Sequence, residues 1–221
     1  LFIQKDRTKE VRFLFKIPPI QVVDYIKKEL EAPYIAGNDI FEKPDDPNAV
    51  TDIELAVNVE EYLALKDSDV RKQYNRALRE NSGLVFKNFS DVQKDDLKLF
   101  WKIWAEQKAS IREKFKDRTD NDENFLNLYS SEHYFGIAAY DGGQLVAYSI
   151  GIPFDEDKCF SGFNKVLRGY TNLGLQISYE KAKIALSKGF HHMNIGTINN
   201  DFKKQFIPFS DQQYLYATEL W

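Results

Sequence analysis

The stretch Val166-Leu167-Arg168-Gly169-Tyr170-Thr171-Asn172-Leu173-Gly174 decides the fold, because it joins a predicted strand to a predicted helix. Residues 158–167 are predicted to be the strand, and residues 173–188 repeat apolar side chains at helical spacing. The residues of this apolar stripe are Leu175, Ile177, Ala182, Ala185 and Leu186. Gly189 follows at the position where a left-handed residue commonly ends a helix. The stretch therefore predicts a strand–turn–helix unit with the helix N-terminus at the turn.

The flanking residues extend this unit on both sides. Residues 134–140 and 144–152 are predicted strands, and the glycines of Asp141-Gly142-Gly143 supply the positive φ of a hairpin turn. Further strands are predicted at residues 191–196 and 214–220. A meander followed by a strand–helix–strand crossover is typical of a mixed sheet packed by helices. The predicted fold class is α/β (α+β), with a mixed β-sheet flanked by helices.

The sequence pattern of the first 58 residues differs from that of the rest, so we predict an N-terminal segment, 1–58, and a larger domain, 59–221. The segment has strand patterns at 11–17 and 51–59, a helical stripe at 20–30 and a polar loop at 42–48.

The larger domain is predicted to begin with a short helix at 60–65 and a second helix capped at Asp67, Ser68 or Asp69. A strand at 84–89 and a longer helix capped by Ser90 follow. The buried face of that longer helix carries Leu97, Phe100, Trp101, Ile103, Trp104 and Ile111.

The overall charge argues against a dedicated nucleic-acid binder. The chain has 221 residues and a net charge of −4, from 30 basic and 34 acidic side chains. The densest basic run, residues 71–79, places Lys72, Arg76 and Arg79 on one side of a helix. This side either meets phosphates or is a solvated helix face.

One cysteine, Cys159, excludes an intrachain disulfide framework and a cysteine-based metal site. We interpret it as a small strand residue and expect a reducing, cytoplasmic location. His191 and His192 lack the spacing of metal ligands, so no metal is predicted. No apolar run approaches the length of a membrane span.

The turn at residues 168–174 is the first candidate for chemistry. A helix N-terminus presents free N–H groups and a positive dipole end, which suit a phosphate or a pantetheine carbonyl. Glycine lets the backbone approach a ligand closely. The alternative is an ordinary strand-to-helix loop, and the turn is neither a Walker A loop nor a GxGxxG fingerprint.

The end of the strand at 191–196 is the second candidate. It runs into a polar loop with Asn194, Asn199, Asn200 and Asp201, which would orient an amine, with Asp201 accepting its proton. The alternative is an Asx-rich turn. The neighbouring Lys203 and Lys204 either bind a phosphate or carboxylate or form a solvated basic patch.

The order of these pieces resembles the second half of GNAT-like acyltransferases of the FemABX type. The residues that carry the resemblance are Gly142–Ala147, Asn172–Leu175, Ala182–Phe190, Met193–Gly196 and Phe202–Phe206. The resemblance covers residues 69–221. It implies transfer of an acyl or aminoacyl group to a small-molecule or peptide amine. It also implies that residues 1–58 are the reduced remnant of a second copy.

The resemblance also implies roles for individual residues. The donor would contact Val166, Leu167, Arg168, Gly169, Asn172 and Gly174, with its pyrophosphate at the turn. Asp201, or a water held by Asn194, would be the base, Tyr170 would protonate the leaving group, and Asn199, Asn200, Lys203 and Lys204 would hold the acceptor.

The donor class follows from the same resemblance. The donor would be acyl-CoA, a carrier-protein thioester or an aminoacyl-tRNA. The turn matches the family's pyrophosphate loop only loosely, which favours the latter two. The alternatives to an enzyme are a catalytically silent ligand-binding module and a structural domain of a larger assembly.

Overall fold

A computed structural model describes residues 3–5, 10–12, 34–39, 50–109, 134–153, 156–197, 203 and 210–219. The chain divides into two compact units, Leu1–Asn58 with Asn194–Trp221, and Val59–Met193. Compactness does not test independent folding, so the predicted domains, 1–58 and 59–221, stay a prediction.

The first unit is built on strand pairs that bring the two ends of the chain together. Its strands are β1 (Ile3–Lys5), β2 (Glu10–Arg12), β3 (Tyr34–Asp39), β4 (Val50–Asn58) and β10 (Ser210–Glu219). β10 pairs antiparallel with both β3 and β4, β2 pairs parallel with β3, and β1 pairs antiparallel with β2. These pairings make a mixed sheet.

Predictions for this unit are confirmed where they fall on described residues. β4 and β10 match the predicted strands at 51–59 and 214–220, and β2 covers the start of the strand predicted at 11–17. The helix at 20–30 and the loop at 42–48 lie outside the described residues. Strand β3 is not predicted from the sequence, because it ends in Gly37-Asn38-Asp39, three residue types that are depleted in strands.

The second unit is an antiparallel meander packed by helices. Its elements are α1 (Val59–Leu63), α2 (Ser68–Glu80), β5 (Val85–Asn88), α3 (Lys94–Ala109), β6 (Phe135–Asp141), β7 (Gln144–Pro153), β8 (Lys158–Val166) and α4 (Leu173–Ser187). β9 (His192–Thr197) follows α4. Strands β5 to β8 pair in chain order, and Gly142 and Gly143 take positive φ at the β6–β7 turn.

One predicted helix cap is confirmed and one is wrong. Asp67 caps α2, because its Oδ1 accepts the N–H groups of Asp69 and Val70 at 2.8 and 3.0 Å. Ser90 does not cap α3. Phe89–Asp91 forms a 3-10 turn, and α3 begins only at Lys94. Phe89 is fully buried, and this anchor holds the chain in a tight turn before the helix can start.

Where α3 meets the sheet, five buried side chains form an aromatic layer, which we define as Phe89, Phe100, Trp101, Trp104 and Tyr148. The Tyr148 ring lies 5.1 Å from Phe100 and 5.5 Å from Phe89, between ring centroids. Lys165, opposite Tyr148 in register, places its Nζ 4.5 Å from the centre of the Trp104 ring. These aromatic side chains are therefore core residues.

Helix α4 packs on the other face of the meander. Ile177, Ala182 and Ala185 are buried as predicted, whereas Leu175 and Leu186 are half-buried. Gln176, Tyr179 and Lys181 take buried places instead. Within the described residues, no helix combines the length and apolar character needed to span a membrane.

Candidate functional site

The turn between β8 and α4 is shaped by two left-handed residues. Gly169 has φ of 103° and Asn172 has φ of 52°, which turn the chain from strand into helix. The Asn172 carbonyl accepts the N–H groups of Leu175 and Gln176, both at 3.1 Å. Its side chain makes no capping hydrogen bond, so the start of α4 is not closed by that side chain.

A buried asparagine holds this turn from the side. The Asn81 amide, at the C-terminus of α2, donates to the Thr171 carbonyl at 3.2 Å and to Gln176 Oε1 at 3.1 Å. These bonds fix the turn against α2. Sequence analysis did not identify Asn81, whose partners lie about 90 residues away.

Tyr170 is tied to the β6–β7 hairpin. Its hydroxyl donates to Asp141 Oδ2 at 2.9 Å. Burial, together with the hydrogen bond and the charge of Asp141, raises the pKa of Tyr170. The phenol is therefore protonated at neutral pH, as a proton donor must be.

The backbone N–H groups that open the turn have protein acceptors. Leu167 donates to the Val146 carbonyl at 2.9 Å, which continues the sheet. Arg168 donates to Gln107 Oε1, on α3, at 2.8 Å. A side-chain acceptor can rotate away whereas a sheet carbonyl cannot, so the Arg168 N–H is the one a ligand can take over.

Polar side chains line the contact between α4 and strands β7 and β8. We call this set the polar layer and define it as Ser149, Ser161, Asn164, Ser178 and Lys181. The Asn164 amide donates to the Gly174 carbonyl at 3.2 Å and to Ser178 Oγ. Ser149 is the cross-strand partner of Asn164 and lies on the same face.

The inner end of the polar layer is a lysine–serine pair. Lys181 Nζ donates to Ser161 Oγ at 2.5 Å, and the lysine is only 1% exposed. Burial lowers the pKa of Lys181 to about 8. Burial also raises the pKa of the adjacent Cys159 thiol to about 12, which fits the interpretation of Cys159 as a small strand residue.

The remaining predicted site residues that the structure describes belong to the other unit. Asn194 is buried, and its Oδ1 accepts the Gly196 N–H at 2.6 Å. Gly196 has φ of 76°, and a Cβ at this position would lie 3.6 Å from Lys203 Nζ. Asn194, Gly196 and Lys203 are thus close together. Asn199, Asn200, Asp201 and Lys204 lie outside the described residues.

Two other candidates are surface features. Lys72 Nζ lies 3.2 Å from Asp69 Oδ1 and Arg76 Nε lies 2.6 Å from Glu80 Oε1, so two of the three basic side chains predicted on one side of α2 are exposed and paired with carboxylates. His191 lies 3.8 Å from Glu60 and is largely exposed. In the described part of the chain, no cluster of three or more His, Cys, Asp or Glu side chains is placed to hold a metal ion.

The lysine–serine pair was not identified from the sequence, although a signal was present. Lys181 lies four residues after Ile177 and four before Ala185, in the middle of the buried stripe. A charged residue at such a place indicates either a partner or a function.

Comparison with solved structures gives the fold, whereas no family model and no curated protein matches the sequence. A conserved protein of unknown function from Bacteroides thetaiotaomicron aligns with a TM-score of 0.60 and 12% identity, over 95% of this chain and 79% of that one. The GCN5-related glucosamine N-acetyltransferase region of a fungal multi-domain β-N-acetylglucosaminidase aligns with a TM-score of 0.53 and 12% identity, over 98% of this chain and 30% of that one.

FemX aligns with a TM-score of 0.50 and 10% identity, over 98% of this chain and 83% of FemX. The fold is GNAT-like. The predicted α/β class with a mixed sheet and flanking helices is thereby confirmed. Because the sequence identities are 10–12%, these alignments show a shared fold and do not identify a substrate.

Proposed function

We propose that this chain is an N-acyltransferase, which moves an acyl or aminoacyl group from a thioester or ester donor to an amine. The observation that carries this proposal is the GNAT-like fold with an uncapped α4 N-terminus behind a left-handed turn. The donor is an acyl-CoA, a carrier-protein thioester or an aminoacyl-tRNA. One neighbour is named for transfer to glucosamine, which supports an amine acceptor.

The donor site is the turn and the polar layer. The α4 N-terminus favours an anionic group, and the exposed Arg168 adds a positive charge beside it. Val166, Leu167, Gly169, Asn172 and Gly174 form the backbone surface against which the donor lies. The amide of Asn164 and the hydroxyl of Ser178 suit the polar groups of an extended donor arm.

The acceptor side completes the reaction. Asp201, or a water held by Asn194, takes a proton from the amine, whose nitrogen forms a bond to the acyl carbon. The bond from that carbon to sulfur or oxygen breaks, and Tyr170 protonates the leaving group. Asn199, Asn200, Lys203 and Lys204 hold the acceptor.

A charge reversal at the turn tests the donor site. Gly174→Asp places a carboxylate in the first turn of α4, where a negative charge favours the helix but repels an anionic donor. Among the described residues, a Cβ at this position meets only Val166 Cγ2 at 3.6 Å, an ordinary contact. We expect Gly174→Asp to weaken binding of acetyl-CoA about tenfold or more, whereas the isosteric Gly174→Asn binds it normally.

The measurements are thermal protection by each donor class and release of free thiol or tRNA in the presence of amines. Binding accompanied by transfer supports the proposal. Binding without transfer to any amine would make the chain a silent binding module. Absence of both binding and transfer with acyl-CoA, carrier thioester and aminoacyl-tRNA would contradict the proposal.

A further inference from the structure

We propose that Ser161 is an acyl-accepting nucleophile whose proton is taken by Lys181, so that the acyl group passes through an ester on this chain. The proposal rests on the proposed function for the identity of the donor, and it replaces direct attack of the amine on the donor by two successive acyl transfers. Its basis is the contact of 2.5 Å between Lys181 Nζ and Ser161 Oγ, a pair formed by α4 and β8. A nucleophile within hydrogen-bond reach of its base is the geometry that covalent catalysis requires.

Lys181 is placed unlike the other lysines of this unit. Among the described residues, no carboxylate lies within salt-bridge distance of it, and Ser161 is its hydrogen-bond partner. A buried ammonium without a counter-charge is costly, and burial lowers the pKa of Lys181 to about 8. The neutral amine that a general base requires is therefore populated near neutral pH.

Ser161 is a better acyl acceptor than its neighbour Cys159. Cys159 is fully buried, and burial raises its pKa to about 12, which removes the thiolate. Ser161 is half-buried, so it contacts Lys181 and is also partly exposed to solvent. It lies five residues before Val166, about 16 Å along the strand from the turn. An extended donor arm anchored at the turn spans such a separation along β8.

The chemistry is balanced without a further reagent. Ser161 Oγ forms a bond to the donor's acyl carbon while neutral Lys181 takes the hydroxyl proton. The carbon–sulfur or carbon–oxygen bond of the donor breaks, and the lysine ammonium returns the proton to the leaving thiol or hydroxyl. The acceptor amine then forms a bond to the acyl carbon of the Ser161 ester, the bond from that carbon to Ser161 Oγ breaks, and neutral Lys181 passes the amine proton to Ser161 Oγ, which restores the serine.

A simple activated ester tests the pair without any knowledge of the natural donor. With p-nitrophenyl acetate we expect a rapid release of one p-nitrophenol per chain and one acetyl group on Ser161, located by peptide mass spectrometry. Ser161→Ala abolishes this labelling, and Lys181→Met slows it about a hundredfold or more. Ser187→Ala, an exposed serine on the same helix, labels like the wild type.

The pH dependence separates a base from a merely structural lysine. Cys159 is the titratable group that acts electrostatically on Lys181 among the described residues, so the series is measured in the Cys159→Ala background. We expect the labelling rate to rise as pH increases through about 8 and to flatten above it. If Lys181→Met does not fold, Ser161→Cys is used, which must still be acylated at residue 161.

Several results would overturn the pair. These are acetyl found on Lys181 or Cys159 instead of Ser161, labelling of Lys181→Met at the wild-type rate, and wild-type transfer from a natural donor by Ser161→Ala. In the last case the proposed function stands and direct transfer replaces the ester. If instead no donor supports transfer while Ser161 is acylated through Lys181, the proposed function fails and the nucleophile stands.

Discussion

The two faces of strands β7 and β8 differ in their contacts: one packs against aromatic rings, and the other includes polar side chains. Tyr148 points to the α3 face, where it meets aromatic rings, and the adjacent Ser149 points to the α4 face. Beneath α4, the Ser161 hydroxyl contacts the buried Lys181, and the exposed Asn164 donates its amide to the Gly174 carbonyl. One meander therefore carries a hydrophobic layer and a polar layer a single sheet thickness apart.

We infer that the aromatic face supplies most of the stability and that the face beneath α4 is where a functional site is expected. Large buried aromatic side chains dominate the energetics of a core. Buried polar groups stabilise little and cost free energy when they lack a partner. A face that departs from the apolar rule is expected at a functional site, because local conflicts persist there for a reason.

The largest expected effect comes from the aromatic layer. Tyr148→Ala removes a fully buried ring that packs against Phe89 and Phe100. We expect it to lower the free energy of unfolding by about 3–5 kcal/mol, measured by urea denaturation. Leu99→Ala, on α3 but 52% exposed, should change it by less than about 0.5 kcal/mol. A loss below about 1 kcal/mol at Tyr148 would show that the aromatic face is not the core.

We expect the contribution of Lys181 to the free energy of unfolding to increase with pH, whereas the contribution of a lysine in an ion pair would decrease. The pKa of Lys181 falls from 10.5 to about 8 on folding, so the unfolded chain binds more protons between these values. Folding stability contributed through Lys181 therefore rises with pH. Between pH 7 and pH 9.5 we expect a gain of about 2 kcal/mol, which Lys181→Met removes.

The control for this prediction concerns Cys159, whose pKa is raised by burial and which would lower stability in the same range. Both proteins are therefore compared in the Cys159→Ala background, by urea denaturation at each pH. Parallel pH curves for the two proteins would mean that the Lys181 ammonium is solvated, and the polar layer would then be a surface feature.

The sequence alone predicts one of these two layers. The strand–turn–helix unit and the aromatic stripe of α3 follow from local spacing and glycine positions, and both are confirmed. The polar layer depends on which residues of β8 lie opposite α4. An irregularity in the β7–β8 pairing between Ser149 and Gly151 shifts that register, and strict alternation along the strand does not predict the shift.

The turn was predicted because its sequence signal is local, whereas the residues that support it were missed because they lie far away along the chain. Glycines at 169 and 174 mark a loop in the sequence, whereas Asn81 and Gln107 reach the loop from distant helices. Contacts that join residues far apart along the chain leave no local pattern. The wrong cap at Ser90 has a related cause, because the buried Phe89 overrides the capping preference of its neighbour.

The smallest expected effect is that of Ser149→Ala, which should raise the free energy of unfolding, whereas Tyr148→Ala on the other face should lower it. Ser149 Oγ is buried and has no hydrogen-bond partner among the described residues. Ser149→Ala removes the desolvated hydroxyl and keeps the Cβ, so we expect a gain of up to about 1 kcal/mol in the free energy of unfolding. Ala147→Ser, two residues earlier on the same strand and also fully buried, should lower the free energy of unfolding, because it buries an added hydroxyl. If Ser149→Ala instead costs more than about 1 kcal/mol, the hydroxyl makes a bond that stabilises the fold. Ser149 would then have a structural role, and the proposed site on the α4 face would be reduced to Lys181, Ser161 and Asn164.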